Sequence, residues 1–187
     1  MKTTTGTSLT RSEKLIRLVK MSMMVAISCV LVLLIRIPFP PAPFLVYDPA
    51  DIPIFITTFA FGPVAGLLVT ILVSFIQAFI LGGDSYYGFI MHIAATGVFV
   101  LVAGNLYRHQ KTRKEAIIAL AVGVLAMTVS MCVANLLVTP FFMGAPREAV
   151  LAMLIPIIAP FNLLKGGINA LITFLVYKRI SKFLHKM

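Results

Sequence analysis

Six apolar segments occupy most of this 187-residue chain, and they constrain its fold more than any other feature. Hydrophobic residues make up 60% of the sequence and charged residues only 12%, whereas a soluble domain has roughly 45–50% apolar and about 25% charged residues. The surplus apolar surface must therefore face lipid. The segments cover residues 15–35, 51–61, 63–81, 87–107, 116–139 and 151–177.

Segment length predicts the fold class. Five segments reach the roughly 20 residues that a helix needs to cross a hydrocarbon core about 30 Å thick. The segment at 51–61 is short, and the sequence leaves open whether it spans fully. We predict an all-α integral membrane protein, a single transmembrane domain built as a bundle of six helices.

The distribution of charge predicts the topology. Thirteen of the 16 Lys and Arg residues lie in the N-terminal arm, in the loop at 108–115 and after Tyr177. Six spans with the N-terminus inside place all three clusters in the cytoplasm, as the positive-inside rule requires, whereas five spans would separate them. We thus expect both termini in the cytoplasm, a cytoplasmic basic arm at 1–14, an extracellular Pro-rich loop at 36–50 and a cytoplasmic basic loop at 108–115. The opposite face receives most acidic residues: Asp48, Asp51, Asp84 and Glu148.

This clustering also excludes nucleic acid as the partner that the net charge of +10 would otherwise suggest. The basic residues flank apolar runs instead of covering a folded polar surface. The lipid bilayer is the predicted surrounding, and a multi-pass protein of the bacterial plasma membrane is the predicted localisation.

Lys165 is the polar residue that most needs an explanation. It lies 12 residues before Tyr177, roughly 18 Å along a helix, so its side chain cannot reach the cytoplasmic surface. A lysine at the centre of a membrane helix costs about 2.5–3.5 kcal/mol. No acid is predicted within the core of a span, and Asp48 and Asp51, expected at the outer edge, would reach Lys165 only if the loops fold inwards.

Buried amides accompany this lysine. Asn162 and Asn169 share its helix face, and Asn135 lies in the fifth segment. Because amides donate and accept while Lys only donates, this set could recognise the edge of a flat heterocycle that carries carbonyl and NH groups. The alternative is hydrogen bonding between helices, which we favour for Asn169 alone.

Other features remain open between two interpretations. His92 and Thr96 share a face of the fourth segment, where a lone His is more often a packing residue; with no second His nearby we expect no metal. The Pro-rich loop could cover a pocket or rest on the membrane surface. Small residues every fourth position from Gly62 to Ala78, and at Ser22 and Ala26, could serve internal packing or the docking of another subunit.

Catalytic motifs are absent from the sequence. It contains no G-x-x-x-x-G-K-[ST], no H-E-x-x-H and no G-x-S-x-G, which are the signatures of nucleotide, zinc and acyl chemistry. We therefore predict no catalytic residues and no enzymatic activity.

Several motifs carry a family resemblance. Tyr47-Asp48-Pro49-Ala50-Asp51-Ile52-Pro53 follows the first helix, Gly88–Thr96 lies in the fourth, and Asn162-Leu163-Leu164-Lys165-Gly166 lies in the sixth. With these elements the chain resembles the substrate-binding S-components of energy-coupling factor (ECF) vitamin transporters, and among them the riboflavin-binding type.

The resemblance implies a function and partners. Riboflavin would be captured from outside as the transported ligand, with no cofactor. The chain would work with a transmembrane coupling subunit and two cytoplasmic ATPase subunits. S-components often dock through Ala-x-x-x-Ala on the first helix, where this chain has Ser22 and Ala26. Family pattern places polar recognition on Asn135, Asn162 and Lys165, with an apolar wall that includes Leu45.

Together, motif and burial arguments define the predicted substrate site. It comprises Leu45, Tyr47, Asp48, His92, Thr96, Asn135, Asn162 and Lys165. Three alternatives stay open: an S-component for another vitamin or heterocycle, a lipid-modifying membrane enzyme, and a structural subunit that binds no small molecule.

Overall fold

The computed structural model describes residues 10–82 and 85–185. The predicted positions of Lys2, Asp84 and Lys186 fall outside these ranges. Six helices follow the six apolar segments, and they begin and end within a few residues of the predicted bounds: α1 Arg11–Leu34, α2 Asp51–Phe61, α3 Pro63–Ile80, α4 Ser85–His109, α5 Arg113–Met143 and α6 Arg147–Tyr177. The helical conformation of α6 continues to His185.

Local sequence signals set the helix ends. Thr10 and Glu13 form a capping box at the start of α1, and the Thr112 hydroxyl caps α5 by accepting from the Glu115 amide, so backbone donors that lack a helical partner are satisfied. Gly62 separates α2 from α3 with a φ of 94°, a conformation that glycine adopts without a steric penalty. Pro63, the first residue of α3, needs no backbone donor there.

Helix α2 lies at the centre of the bundle. Ten of its eleven residues are buried, and Phe55 stacks on Phe99 of α4 with ring centroids 3.6 Å apart. Near the other end of α2, Phe59 stacks on Tyr107 at 4.2 Å. Eleven residues extend only about 16 Å, roughly half of the hydrocarbon core. The short second segment is thus a buried core helix, and five other helices are long and apolar enough to cross a membrane.

The Pro-rich loop contains a β-hairpin that the sequence did not predict. Strand β1 (Ile37–Phe39) pairs antiparallel with β2 (Ala42–Tyr47), with a register irregularity between Pro38 and Phe39. Proline cannot donate to a strand ladder and favours such irregularities. The hairpin packs inwards, since Ala42 and Leu45 are buried in a cluster with Val150, Ile158 and Phe161 of α6. Of the two interpretations of this loop, packing over the bundle is the one observed.

Three helices contain a π-helical turn in the half of the bundle that carries the hairpin. These turns cover Ile76–Ile80 in α3, Ile93–Gly97 in α4 and Leu154–Ile158 in α6. A π turn widens the helix locally and often accompanies a functional site. The opposite end of the bundle is regular and carries the basic residues of the α4–α5 loop.

Internal packing explains the stripe of small residues on α3. Gly66, Thr70, Ser74 and Ala78 are all buried. A Cβ atom built on Gly66 would lie within van der Waals overlap of Thr58 Oγ1 on α2 and 2.8 Å from Val100 Cγ1 on α4. Glycine at this position lets α2, α3 and α4 approach closely.

Gly66→Ala is expected to destabilise the bundle by roughly 1–3 kcal/mol, the usual cost of inserting a methyl group into a packed core. Gly167→Ala is the matched control, because a Cβ on Gly167 meets nothing within 4 Å. Apparent melting temperatures in detergent compare the two variants. Equal melting temperatures would show that the bundle accommodates the added methyl group at position 66 without losing stability.

A polar ligand cavity beneath the hairpin

A cavity of about 470 Å³ lies beneath the hairpin, between α3, α4, α5 and α6. Its volume falls in the range of pockets that hold drug-sized molecules. It lies at the end of the bundle opposite the basic α4–α5 loop. Seven of the eight predicted substrate-binding residues line it: Leu45, Asp48, His92, Thr96, Asn135, Asn162 and Lys165.

Lys165 forms an ion pair inside this cavity. Its Nζ lies 2.7 Å from Asp48 Oδ2 and donates to the Val46 carbonyl at 3.3 Å. Asp48 is only 3% exposed, and its other oxygen accepts from the Ala50 amide. The charge of Lys165 is therefore compensated within the protein, at a depth where an isolated charge would be costly.

Asp48 and Asp51, expected to reach Lys165 only if the loops fold inwards, lie inside the bundle because the loop does fold inwards. The chain after the hairpin descends into the bundle before α2 begins, because α2 is only half as long as a spanning helix. Asp51 lies ten residues before Phe61, about 15 Å along α2, which matches the 18 Å between Lys165 and Tyr177 on α6. The two acids consequently meet Lys165 and Asn169 inside the bundle.

Asp51 connects three helices through its carboxylate. Oδ1 accepts from Thr96 Oγ1 at 2.7 Å and lies 3.1 Å from His92 Nε2, both on α4. Oδ2 accepts from Asn169 Nδ2 of α6 at 3.3 Å. The residue is fully buried, so these bonds replace the water that the carboxylate has lost. His92 contacts α3 as well, since its Nδ1 lies 2.8 Å from Ser74 Oγ.

Tyr47 is the one predicted substrate residue that does not line the cavity. Its hydroxyl donates to Asn169 Oδ1 at 3.1 Å, while Asn169 Nδ2 also donates to the Asp48 carbonyl at 3.1 Å. Burial, together with the nearby Asp48 carboxylate, raises the pKa of Tyr47. Tyr47 and Asn169 thus hold the end of the hairpin onto α6, and the structural role favoured for Asn169 is confirmed.

Two amides contribute polar groups to the cavity wall. Asn162 Nδ2 donates to the Ile158 carbonyl at 2.8 Å, and within the described residues its second N–H and its Oδ1 are not bonded to protein. Asn135 Nδ2 donates to the Met131 carbonyl, and its Oδ1 accepts from Thr139, which leaves one N–H. The side chains are held by these bonds and still present a donor and an acceptor to a ligand.

Apolar residues form the rest of the wall. Leu45 and Phe44 come from the hairpin, Met127 and Met131 from α5, and Phe161 from α6. Methionine side chains are flexible and adapt to flat or irregular surfaces. The cavity therefore combines broad apolar faces with a few fixed polar groups, the usual composition of a small-molecule site.

Sequence reasoning missed Asp51 as a site residue, although Asp51 lines the cavity. A signal was present: Asp51 opens a segment of ten further uncharged residues, all apolar except two threonines and one proline. An acid at the first position of a buried helix is poorly placed to reach the protein surface.

The residues 10–82 and 85–185 contain no group of three or more potential metal ligands.

A multi-helix membrane bundle with an amphipathic cavity at one end defines a small-molecule-binding membrane protein. Residues 16–177 match the family described as ECF transporter, substrate-specific component, and the chain belongs to that family. It is accordingly a multi-pass cell-membrane protein, a transporter component and not an enzyme. Membership of this family excludes the alternative that the chain is a lipid-modifying membrane enzyme.

The chain is similar to individual relatives over nearly its whole length. The riboflavin transporter RibU of Staphylococcus aureus is 30% identical, over 91% of this chain and 93% of the relative. The riboflavin transporter FmnP of Bacillus subtilis is 28% identical, over 92% and 96% respectively. A solved structure of the S component of a bacterial ECF transporter superposes with a TM-score of 0.77 at 29% identity, over 91% of this chain and 98% of the other.

Proposed function

We propose that this chain binds riboflavin in the cavity beneath the hairpin and presents it for uptake by an ATP-driven module. The observation that carries the proposal is the convergence of seven predicted residues from the hairpin, α4, α5 and α6 on one cavity. The flavin ring is flat and broad, and one edge alternates carbonyl and NH groups. The Asn162 amide can pair with such an edge, and Lys165 can donate to a carbonyl.

The proposal includes an orientation and partners. The cavity opens outwards, the Pro-rich loop at 36–50 is on the extracellular side, and the arm at 1–14, the loop at 108–115 and both termini are cytoplasmic. Charge supports this orientation, because Arg108, Lys111, Arg113 and Lys114 lie at the end opposite the cavity. The energising module consists of a transmembrane coupling subunit and two ATPase subunits.

Titration of the purified chain with riboflavin tests the ligand. We expect saturable quenching of flavin fluorescence at one ligand per chain. Asn162→Ala should weaken binding by roughly 1–3 kcal/mol, the cost of leaving polar groups of the ligand unpaired. Thr173→Ala is a matched control on α6, since Thr173 is buried but absent from the cavity wall. If another flat heterocycle binds saturably and riboflavin does not, the proposed substrate is wrong but the proposed binding site is retained.

Ser22 and Ala26 lie on an exposed face of α1, which supports their proposed role in docking the coupling subunit. Ala26→Phe should abolish co-purification of that subunit while riboflavin titration stays unchanged, because close helix contact requires small residues. Val64→Phe, at a site on α3 that is 70% exposed, serves as the control for adding bulk to the surface. Undiminished assembly of the Ala26 variant would place the docking surface elsewhere.

A further inference from the structure

A second cavity, of about 390 Å³, lies at the opposite end of the bundle. It is formed where the α4–α5 loop meets the last turns of α6. Its wall has a basic side, from Lys111 and Arg113, and an apolar side, from Phe174, Leu175 and the two tyrosines Tyr107 and Tyr177. None of these residues belongs to the riboflavin site proposed above.

The basic side of this cavity carries uncompensated charge. Lys111 and Arg113 are exposed, and in the described part of the chain no acidic side chain forms an ion pair with either. Arg108 and Lys114 add two further positive charges in the same loop, against the single acid Glu115. An anionic group at this position would therefore be attracted by several cations and opposed by one carboxylate.

The apolar side adjoins the surface that faces lipid. Leu175 is 62% exposed, and Leu171, one turn away on α6, is 60% exposed. Tyr107 and Tyr177 contact each other edge to face with ring centroids 6.1 Å apart, and tyrosines mark the depth of the membrane–water interface. The cavity thus sits at headgroup depth and continues into an apolar surface.

We propose that this cavity binds the headgroup of an anionic phospholipid. Lys111 and Arg113 contact the phosphate, Arg through its planar set of donors, and an acyl chain extends along Leu175 and Leu171. Basic pockets between membrane helices bind acidic headgroups in this way. A free phosphate ion would satisfy the two cations and leave the apolar side uncovered, so the amphipathic wall favours the lipid.

Lipid retention tests the proposal. The full chain is purified from vesicles of mixed phosphatidylcholine and phosphatidylglycerol, and the bound lipid is counted by native mass spectrometry. We expect one phosphatidylglycerol retained per wild-type chain. Lys111→Gln combined with Arg113→Gln should lower its affinity about 30-fold, the effect of removing two basic residues next to an anionic surface.

The matched control is Arg108→Gln combined with Lys114→Gln. These substitutions remove the same charge from the same loop, but neither residue lines the cavity, so the affinity for phosphatidylglycerol should fall clearly less than in the first double variant. Riboflavin titration reports correct folding of all variants, because the two cavities lie at opposite ends. Equal loss in both double variants would indicate diffuse surface attraction and overturn the proposal. Displacement of the lipid by inorganic phosphate, or equal retention of phosphatidylcholine, would also overturn it.

Discussion

Lys165→Ala is expected to eliminate measurable riboflavin binding and to destabilise the chain. The substitution removes a ligand donor and leaves the Asp48 carboxylate buried without its ion-pair partner, 2.7 Å away in the wild type. Breaking one side of a buried pair typically costs 3–5 kcal/mol, more than the loss of a single neutral hydrogen bond. Flavin fluorescence titration and the apparent melting temperature measure the two effects separately.

A double variant distinguishes the two contributions of Lys165. Lys165→Met with Asp48→Asn removes both charges and retains most of the side-chain volume. Its melting temperature should return towards the wild-type value, because no buried charge is left unpaired, while riboflavin binding stays weak. Wild-type affinity in Lys165→Ala would contradict the assignment of Lys165 to the ligand site.

Asp51→Ala is expected to have the largest effect on stability. The carboxylate is the shared acceptor for His92, Thr96 and Asn169, and its removal leaves three donors unpaired in a buried site. Each unpaired buried donor costs about 1–3 kcal/mol, so the total of about 3–9 kcal/mol is comparable to the whole stability of many domains. We expect little folded protein, measured as the monodisperse fraction after size-exclusion chromatography.

Thr96→Val is the graded comparison for Asp51. It removes one of the three donors and keeps the carboxylate and the shape of the side chain, so its cost should be near 1 kcal/mol. A folded Asp51→Ala variant with the melting temperature of Thr96→Val would show that the three donors find other acceptors. Asp51 would then be dispensable for holding α2, α4 and α6 together.

The helices and the family were predictable because their signals are local. A run of apolar residues predicts a membrane helix regardless of its neighbours. The amides and Lys165 stood out because polar groups in apolar helices require partners. Seven of the predicted residues line one cavity, and their binding of a ligand stays a prediction.

The hairpin, the contacts of the two acids and the position of Tyr47 were not predictable from local signals. Prolines at 38, 40, 41 and 43 indicate extended backbone, but pairing depends on contact with a second strand. Asp48 and Asp51 looked like surface residues because charge counting treats every loop as external. Tyr47 was assigned to the ligand because its partner, Asn169, lies 122 positions away in the chain.

By itself, the sequence determined that the chain enters a membrane and how many helices it forms. It also determined which residues are costly to bury and which family the chain belongs to. These properties follow from hydropathy, helix length and motif composition, which are properties of contiguous residues. Only the tertiary structure decided that α2 begins inside the bundle, that Asp48 therefore meets Lys165, and that Asp51 connects α2 to α4 and α6. These are contacts between residues distant in the chain, and their formation depends on how short the central helix is and how closely its neighbours pack around it.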